Sequence, residues 1–102
     1  MMRMAVIAIV VALATPAPDA VARERITFKS NDGTPLTGFL YRPESPGPHP
    51  AVIMMHGCAG LVTKRGALKR RERTWAYLLK REGYVVLLVD SFSPRGHRSI
   101  CG

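Results

Sequence analysis

The segment Ala51–Gly60, with the sequence AVIMMHGCAG, decides the fold. Its first five residues, AVIMM, form an apolar run without alternation, which is typical of a strand buried on both faces in a parallel sheet. The glycines that follow let the backbone bend sharply at the carboxyl end of this strand and turn N–H groups outward, at the edge where open α/β sheets bind ligands. From the residues alone, this bend is either a ligand-binding loop or a tight turn without a chemical role.

A second apolar run, VVLLV at residues 85–89, predicts another buried strand. The segment between the two runs has helical periodicity, and Gly83 is a suitable residue to end the helix. Its predicted buried face consists of Leu68, Trp75, Leu78 and Leu79, and its predicted solvent face of Arg70, Arg73, Lys80 and Arg81. The order strand, helix, strand predicts a βαβ unit with a right-handed crossover.

Two further strands precede this unit. Ile26 and Phe28 alternate with polar residues, and a second alternating run from Leu36 ends at Pro43. The residues between them, Asn31-Asp32-Gly33, are typical of a hairpin turn. The predicted fold class is therefore α/β, with an antiparallel amino-terminal hairpin followed by a βαβ unit.

The first residues of the chain have the pattern of a signal peptide. Arg3 precedes an apolar stretch, Ala5–Ala14, which is too short to span a membrane. Ala20-Val21-Ala22 supplies a cleavage pattern of small residues. We therefore expect residues 1–22 to be removed and residues 23–102 to form one domain. The product is expected to be exported, to the periplasm or the medium, without stable membrane insertion after cleavage.

The chain of 102 residues has a formal net charge of +8. Basic residues are concentrated around the start of the predicted helix, at Lys64, Arg65, Lys69, Arg70, Arg71 and Arg73. Such a run suits a secreted module that binds polyanions, or a solvated helix entrance. We favour the solvated helix, because Trp75 is expected on the apolar face and no stacking aromatic residue interrupts the run.

The two cysteines allow three hypotheses. Cys58 and Cys101 are both expected in loops at the carboxyl edge of neighbouring strands, so an oxidising compartment would allow them to form a disulfide; the alternative is two free thiols. Cys58 with His56 could form a nucleophilic pair, but no third group to orient the histidine is evident. His97 and Cys101 have a spacing that suits metal ligands on a helix, but no second pair completes a site. Asp90, at the end of a buried strand, is expected to accept hydrogen bonds from the following loop, including one from Arg95.

Taken together, several segments resemble the amino-terminal part of the dienelactone hydrolase family of α/β-hydrolases. The resemblance covers residues 25–102 and rests on NDGTPL at residues 31–36, YRP at 41–43, GPHPAV at 47–52, HGCAG at 56–60, GYVV at 83–86, DSF at 90–92 and PRG at 94–96. It implies hydrolysis of a small-molecule carboxylic ester or lactone through an acyl-enzyme, without a metal or organic cofactor and without a specific nucleic acid partner.

The resemblance also implies roles for the glycine-containing bend. In that family the loop after the third strand supplies an N–H group of the oxyanion hole, which by position is that of Cys58, with Gly57 and Ala59 shaping the loop. The nucleophile, serine or cysteine, lies on a G-x-S-x-G-like elbow further along the chain, followed by the acid and the histidine. The 102 residues contain no G-x-[SC]-x-G sequence. We therefore expect a hydrolase fold truncated before the nucleophile elbow, with little or no activity of its own; a non-catalytic fragment is the remaining alternative.

Overall fold

The computed structural model describes residues 23–102. The predicted signal peptide, residues 1–22, lies outside the described residues, so its removal stays a prediction. Residues 23–102 contain a four-stranded mixed sheet in the order β1-β2-β4-β3, together with one α-helix and a short 3₁₀ turn. In chain order the elements are β1 (Glu24–Lys29), β2 (Pro35–Tyr41), β3 (Ala51–Met55), α1 (Arg70–Arg81), β4 (Val85–Asp90) and the 3₁₀ turn Ser93–Arg95.

The amino-terminal hairpin is confirmed. β1 and β2 pair antiparallel, in a register that places Ile26 opposite Gly38. The turn between them closes with a hydrogen bond from the Gly33 N–H to the Ser30 carbonyl, 2.9 Å long, and Gly33 has a φ of +83°. A glycine adopts this left-handed conformation without a steric penalty. The local sequence of the turn therefore sets the register of the hairpin.

The βαβ unit is also confirmed. β3 and β4 pair in parallel, from Ala51 opposite Val85 to Met55 opposite Val89. α1 connects them and packs on β4, where Ala76 is fully buried in the same core as Val86 and Leu88. β2 pairs antiparallel with β4 on its other side. This pairing makes β4 a central strand and joins the hairpin to the βαβ unit.

The prediction that β3 is buried on both faces is wrong for residues 23–102. Val52 and Met54 are half-buried on the face that α1 covers, whereas Ile53 and Met55 are 66% and 65% exposed on the opposite face. The reason is the position of β3 at the edge of the sheet, where no described element covers that second face. An apolar run without alternation indicated what the strand can bury, and the packing determines what it does bury.

The predicted buried face of the helix is wrong in part. Trp75 is 55% exposed and Leu78 is 43% exposed, although Leu79 packs against the core as expected. Leu68 is buried, but it precedes the helix and forms a bridge with Val62. The residues that α1 turns towards the sheet are Ala76 and Glu72. The small Ala76 side chain allows the helix to approach β4 closely, which the indole of Trp75 would prevent.

Two matched truncations test this packing. Leu88→Ala on β4 removes a side chain with no exposed surface and is expected to lower the free energy of unfolding by about 2–5 kcal/mol, because it leaves a cavity in the core. Ile53→Ala on the neighbouring strand is expected to lower it by less than about 0.5 kcal/mol. Urea denaturation measures both. Equal losses would contradict the exposure of the second face of β3.

Candidate functional site

The candidate site is the loop of residues 56–60, His56-Gly57-Cys58-Ala59-Gly60, here called the glycine loop. It follows β3 at the carboxyl edge of the parallel strand pair, beside the segment that follows β4. His56 ties the two segments together. Its Nε2 accepts a hydrogen bond from the Ser91 N–H, with an N···N distance of 3.2 Å, and lies 3.0 Å from the Ser91 Oγ. Its ring also packs edge-on against Phe92, with 4.3 Å between ring centroids.

The Gly57 carbonyl is turned into the loop. It accepts a hydrogen bond from the Gly60 N–H at 3.0 Å and lies 2.9 Å from His56 Nδ1. Because His56 Nε2 accepts from the Ser91 N–H, the ring proton is on Nδ1, which donates to Gly57. In a trans peptide the C=O and N–H bonds lie in one plane and point in opposite directions. Fixing the Gly57 carbonyl inward therefore directs the Cys58 N–H outward.

The next peptide is fixed in the same way. The Cys58 carbonyl accepts hydrogen bonds from the Ile100 N–H at 2.8 Å and from the Ser99 Oγ at 3.2 Å. The Ala59 N–H, which shares that peptide plane, points away from residues 99 and 100. Within residues 23–102, neither the Cys58 N–H nor the Ala59 N–H has a hydrogen-bond acceptor. The loop therefore presents two consecutive backbone donors without an acceptor in the described part of the chain, here called the two unpaired donors.

A third contact holds the end of the glycine loop. The Lys69 Nζ donates a hydrogen bond to the Ala59 carbonyl at 2.6 Å. Gly60 has a φ of +75°, and a Cβ there would collide with the carbonyl oxygen of Arg98. Only glycine therefore fits at residue 60, both for its backbone conformation and for its close approach to the following segment.

The glycine loop lines one side of an open cavity of about 470 Å³. The start of α1 lines the other side, and the lining residues are Gly57, Cys58, Ala59, Gly60, Lys69, Arg71 and Glu72. This cavity places the two unpaired donors on the same rim as two cationic side chains and one carboxylate. The rim therefore carries an excess of positive charge, which favours an anionic or negatively polarised group.

Glu72 is the buried carboxylate of this rim, with only 8% of its surface exposed. Burial by itself would raise the pKa of Glu72, but hydrogen bonds from Arg71 to Oε1, at 2.8 and 3.2 Å, and the charges of Arg71 and Lys69 lower it below the ordinary value. Its Oε2 is buried without a hydrogen-bond partner among residues 23–102. Glu72 is therefore ionised at neutral pH and neutralises part of the local positive charge.

Asp90 and Arg95 both form hydrogen bonds in the loop after β4, but not with each other. The Asp90 Oδ1 accepts hydrogen bonds from the N–H groups of Phe92 and Ser93, at 3.1 and 3.0 Å, as expected for a carboxylate that caps a turn. The expected bond from Arg95 to Asp90 is wrong. Arg95 instead donates to the Ser91 carbonyl at 2.7 Å and pairs with Asp32 of the hairpin turn at 3.4 Å.

Asp32 is fixed by its neighbours in the turn. Hydrogen bonds from the Ser30 hydroxyl and the Thr34 N–H hold the pKa of Asp32 well below its usual range, with a smaller contribution from Arg95. Because Arg95 follows β4 and Asp32 follows β1, this pair joins the hairpin to the loop beside the site. The proline-arginine-glycine segment at residues 94–96 thus has a structural role.

The two cysteines, Cys58 and Cys101, are joined in a disulfide, with their Cα atoms 5.0 Å apart. No free thiol remains among residues 23–102. While this bond is intact, Cys58 has no thiol to form a nucleophile with His56, and Cys101 has none to share a metal with His97. Within the same residues, no group of three potential ligands could hold a metal ion.

Sequence reasoning missed the role of four residues that shape the glycine loop: Lys69, Ser91, Ser99 and Ile100. Each acts through a contact that is distant in sequence or made by the backbone, so no local motif marks it. Gly57, Cys58 and Ala59 occupy the expected place at the carboxyl end of β3, but their role in an oxyanion hole stays a prediction. No helix among residues 23–102 is both long and apolar enough to cross a membrane.

The comparisons with known proteins point to one superfamily. No family model and no curated protein matches the sequence. Among solved structures the chain is similar to a brefeldin A esterase, described as a bacterial homologue of human hormone-sensitive lipase, with 28% sequence identity and a TM-score of 0.55. The match covers 79% of this chain and 22% of the esterase. This similarity places the chain in the α/β-hydrolase superfamily, as a part that spans about a fifth of that esterase.

The similarity supports the expected α/β-hydrolase superfamily. An esterase of the α/β-hydrolase type agrees with the hydrolase fold that the sequence predicted for residues 25–102. The finer assignment to the dienelactone hydrolase family stays a prediction.

The buried carboxylate of Glu72 makes the stability of the chain depend on pH, which gives a test of the site. The pKa of Glu72 is lower in the folded chain than in the unfolded chain, so its stabilising contribution is present above its ordinary value of 4.5 and is lost as the pH falls through the folded value. Glu72→Gln is expected to lower the free energy of unfolding by about 1 kcal/mol at pH 7, and the deficit should shrink progressively below pH 4.5. Urea denaturation across this range measures it, with Glu44→Gln in an exposed loop as the control. A deficit that is independent of pH would contradict the assignment.

Proposed function

We propose that the chain is the amino-terminal part of an exported carboxylic ester or lactone hydrolase of the dienelactone hydrolase type. The observation that carries the proposal is the pair of unpaired donors, the N–H groups of Cys58 and Ala59, at the carboxyl end of β3. Ligands of open α/β sheets bind at this edge. The similarity to an esterase over 79% of the chain supports the same class of reaction.

The proposed role of the glycine loop is to stabilise an oxyanion. When a nucleophile attacks the carbonyl carbon of an ester, negative charge develops on the carbonyl oxygen. Backbone donors that are already aimed at that position stabilise the charge without reorganising, and one such donor contributes about 2.7–4 kcal/mol to transition-state binding. Gly57 shapes the bend, and Cys58 and Ala59 carry the donors. The reaction needs no metal or organic cofactor for this step.

The remaining catalytic groups are proposed to come from outside this sequence. The 102 residues contain no G-x-[SC]-x-G elbow. Because the acid and the histidine follow the elbow in chain order in this class of enzyme, all three groups of the triad are proposed to lie outside the sequence. His56 is proposed as a positioning residue, because its two ring nitrogens are both engaged by Gly57 and Ser91. Lys69 has the same role at the Ala59 carbonyl.

Two measurements test this proposal: the esterase activity of the chain, and the response of the Cys58 and Ala59 N–H groups to an anion. The 102-residue chain is expected to hydrolyse p-nitrophenyl acetate no faster than buffer, because it has no nucleophile elbow. In ¹H–¹⁵N spectra, phenylphosphonate, a tetrahedral anion, is expected to shift the amide signals of Cys58 and Ala59. The amide of Gly66, which already donates to the Thr63 carbonyl, is the internal control. Robust turnover, or phosphonate shifts that avoid residues 58 and 59, would refute the proposal.

A second candidate function is a module that binds polyanions, and one observation favours it. Trp75 and Tyr77 are 55% and 36% exposed, so two aromatic side chains of α1 reach solvent, whereas Trp75 was expected on the apolar face. Arg81 lies over the Tyr77 ring, with its guanidinium carbon 5.8 Å from the ring centroid. Exposed arginines interleaved with aromatic rings suit a surface that binds phosphate or sulfate chains and stacks on bases.

Heparin affinity chromatography tests this second function. If α1 is the contact surface, Arg70→Gln with Arg73→Gln is expected to lower the salt concentration of elution and to reduce the slope of log K against log salt by about 1 for each lost contact. The matched control, Arg25→Gln with Arg42→Gln, removes the same charge from the hairpin. An equal effect of both pairs would show that net charge alone causes retention, and would exclude α1 as a dedicated surface.

A further inference from the structure

The segment that follows the 3₁₀ turn, residues 98–101, contacts the glycine loop at several points and is here called the clamp segment. The Ile100 N–H and the Ser99 hydroxyl both donate to the Cys58 carbonyl, at 2.8 and 3.2 Å. Cys101 is bonded to Cys58 through the disulfide, across 43 positions of sequence. The carbonyl of Arg98 also lies against Gly60. The clamp segment and the glycine loop are therefore joined by one covalent bond and two hydrogen bonds.

Within residues 23–102, few other contacts hold the clamp segment. Its residues are all exposed. Among residues 23–102, its other hydrogen bond is internal, from the Cys101 N–H to the Ser99 Oγ at 3.3 Å. Segments with few buried contacts and solvent-exposed hydrogen bonds open locally at small free energies. Without the disulfide, two exposed hydrogen bonds to one carbonyl would have to keep the clamp segment in place.

The two hydrogen bonds from the clamp segment fix the direction of a neighbouring N–H group. Both donate to the Cys58 carbonyl, which shares a peptide plane with the Ala59 N–H. When the carbonyl is held, the direction of that N–H is held as well, because the peptide group is planar. When the clamp segment leaves, the peptide between residues 58 and 59 is free to rotate. The Gly57 carbonyl keeps its own bonds from Gly60 and His56, so the Cys58 N–H is less affected.

We infer that the Cys58–Cys101 disulfide is a redox-controlled clamp that holds the Ala59 N–H in its outward direction. A dithiol reductant transfers two electrons and two protons to the disulfide, which leaves two cysteine thiols and converts the reductant to its own cyclic disulfide. The clamp segment then detaches and the second donor of the site loses its fixed direction. The effect of this switch on catalysis rests on the proposed function. The effect of reduction on the direction of the Ala59 N–H does not.

The test compares oxidised and reduced chain by ¹⁵N relaxation. In the oxidised chain the amide order parameter of Ala59 is expected to be about 0.85, and after reduction by dithiothreitol it should fall below about 0.6. The Ile100 amide should exchange with solvent slowly before reduction and rapidly after it. The double variant Cys58→Ser with Cys101→Ser should behave as the reduced chain and should not respond to dithiothreitol. Amides of β4 and of Gly33 are expected to keep their order parameters throughout.

The possible outcomes separate this inference from the proposed function. An unchanged order parameter at Ala59 after reduction would overturn the clamp, and so would global unfolding, since the inference assigns the disulfide a local effect. Loss of the phenylphosphonate shift at Ala59 upon reduction, with that shift present in the oxidised chain, supports both ideas. If the oxidised chain shows no phosphonate shift but reduction still loosens Ala59, the clamp stands and the oxyanion role fails.

Discussion

The planarity of the peptide bond is the constraint on which the candidate site depends. The Gly57 carbonyl is engaged within the glycine loop by Gly60 and His56, and the Cys58 carbonyl is engaged by the clamp segment. Because each peptide group is planar, the N–H groups of Cys58 and Ala59 are held in the opposite directions. The donors are thus oriented before any ligand arrives. Preorganisation of this kind is what makes backbone N–H groups effective towards a developing negative charge, because no reorganisation is needed during the reaction.

Much of the fold could be predicted from the sequence because the relevant signals are local. The alternation around Ile26, the turn at Gly33 and the apolar runs of β3 and β4 each reflect the geometry of a few neighbouring residues. The errors concern what covers a surface. Trp75 and Ala76 are adjacent, and the choice of which one faces the sheet amounts to a rotation of the helix by about 100°. Packing against β4 selects the small Ala76, which periodicity alone could not show.

For the site, too, the features set by neighbouring residues could be predicted, and those set by residues distant in sequence could not. The place of the glycine loop after β3 follows from the sequence, since glycines at the end of an apolar run mark a sharp bend. Its orientation does not, because the groups that fix it come from Ser91, from Lys69 and from the clamp segment, which is joined to Cys58 across 43 positions. Two of the bonds that matter are donated by backbone N–H groups, which carry no sequence signature. Only the tertiary fold brings them to the loop.

The two candidate functions both draw on attraction for negative charge, but over different distances. The arginines on the exposed face of α1 act through a field that salt screens over about 10 Å at 0.1 M. The N–H groups of Cys58 and Ala59 are proposed to act by direct contact, and their direction is set by the disulfide and by hydrogen bonds of the loop. Lys69 belongs to both sets, because it adds to the basic surface and also donates to the Ala59 carbonyl. In the proposed function, the basic surface attracts an anionic group from a distance, and the fixed N–H groups of the glycine loop select where its charge lies.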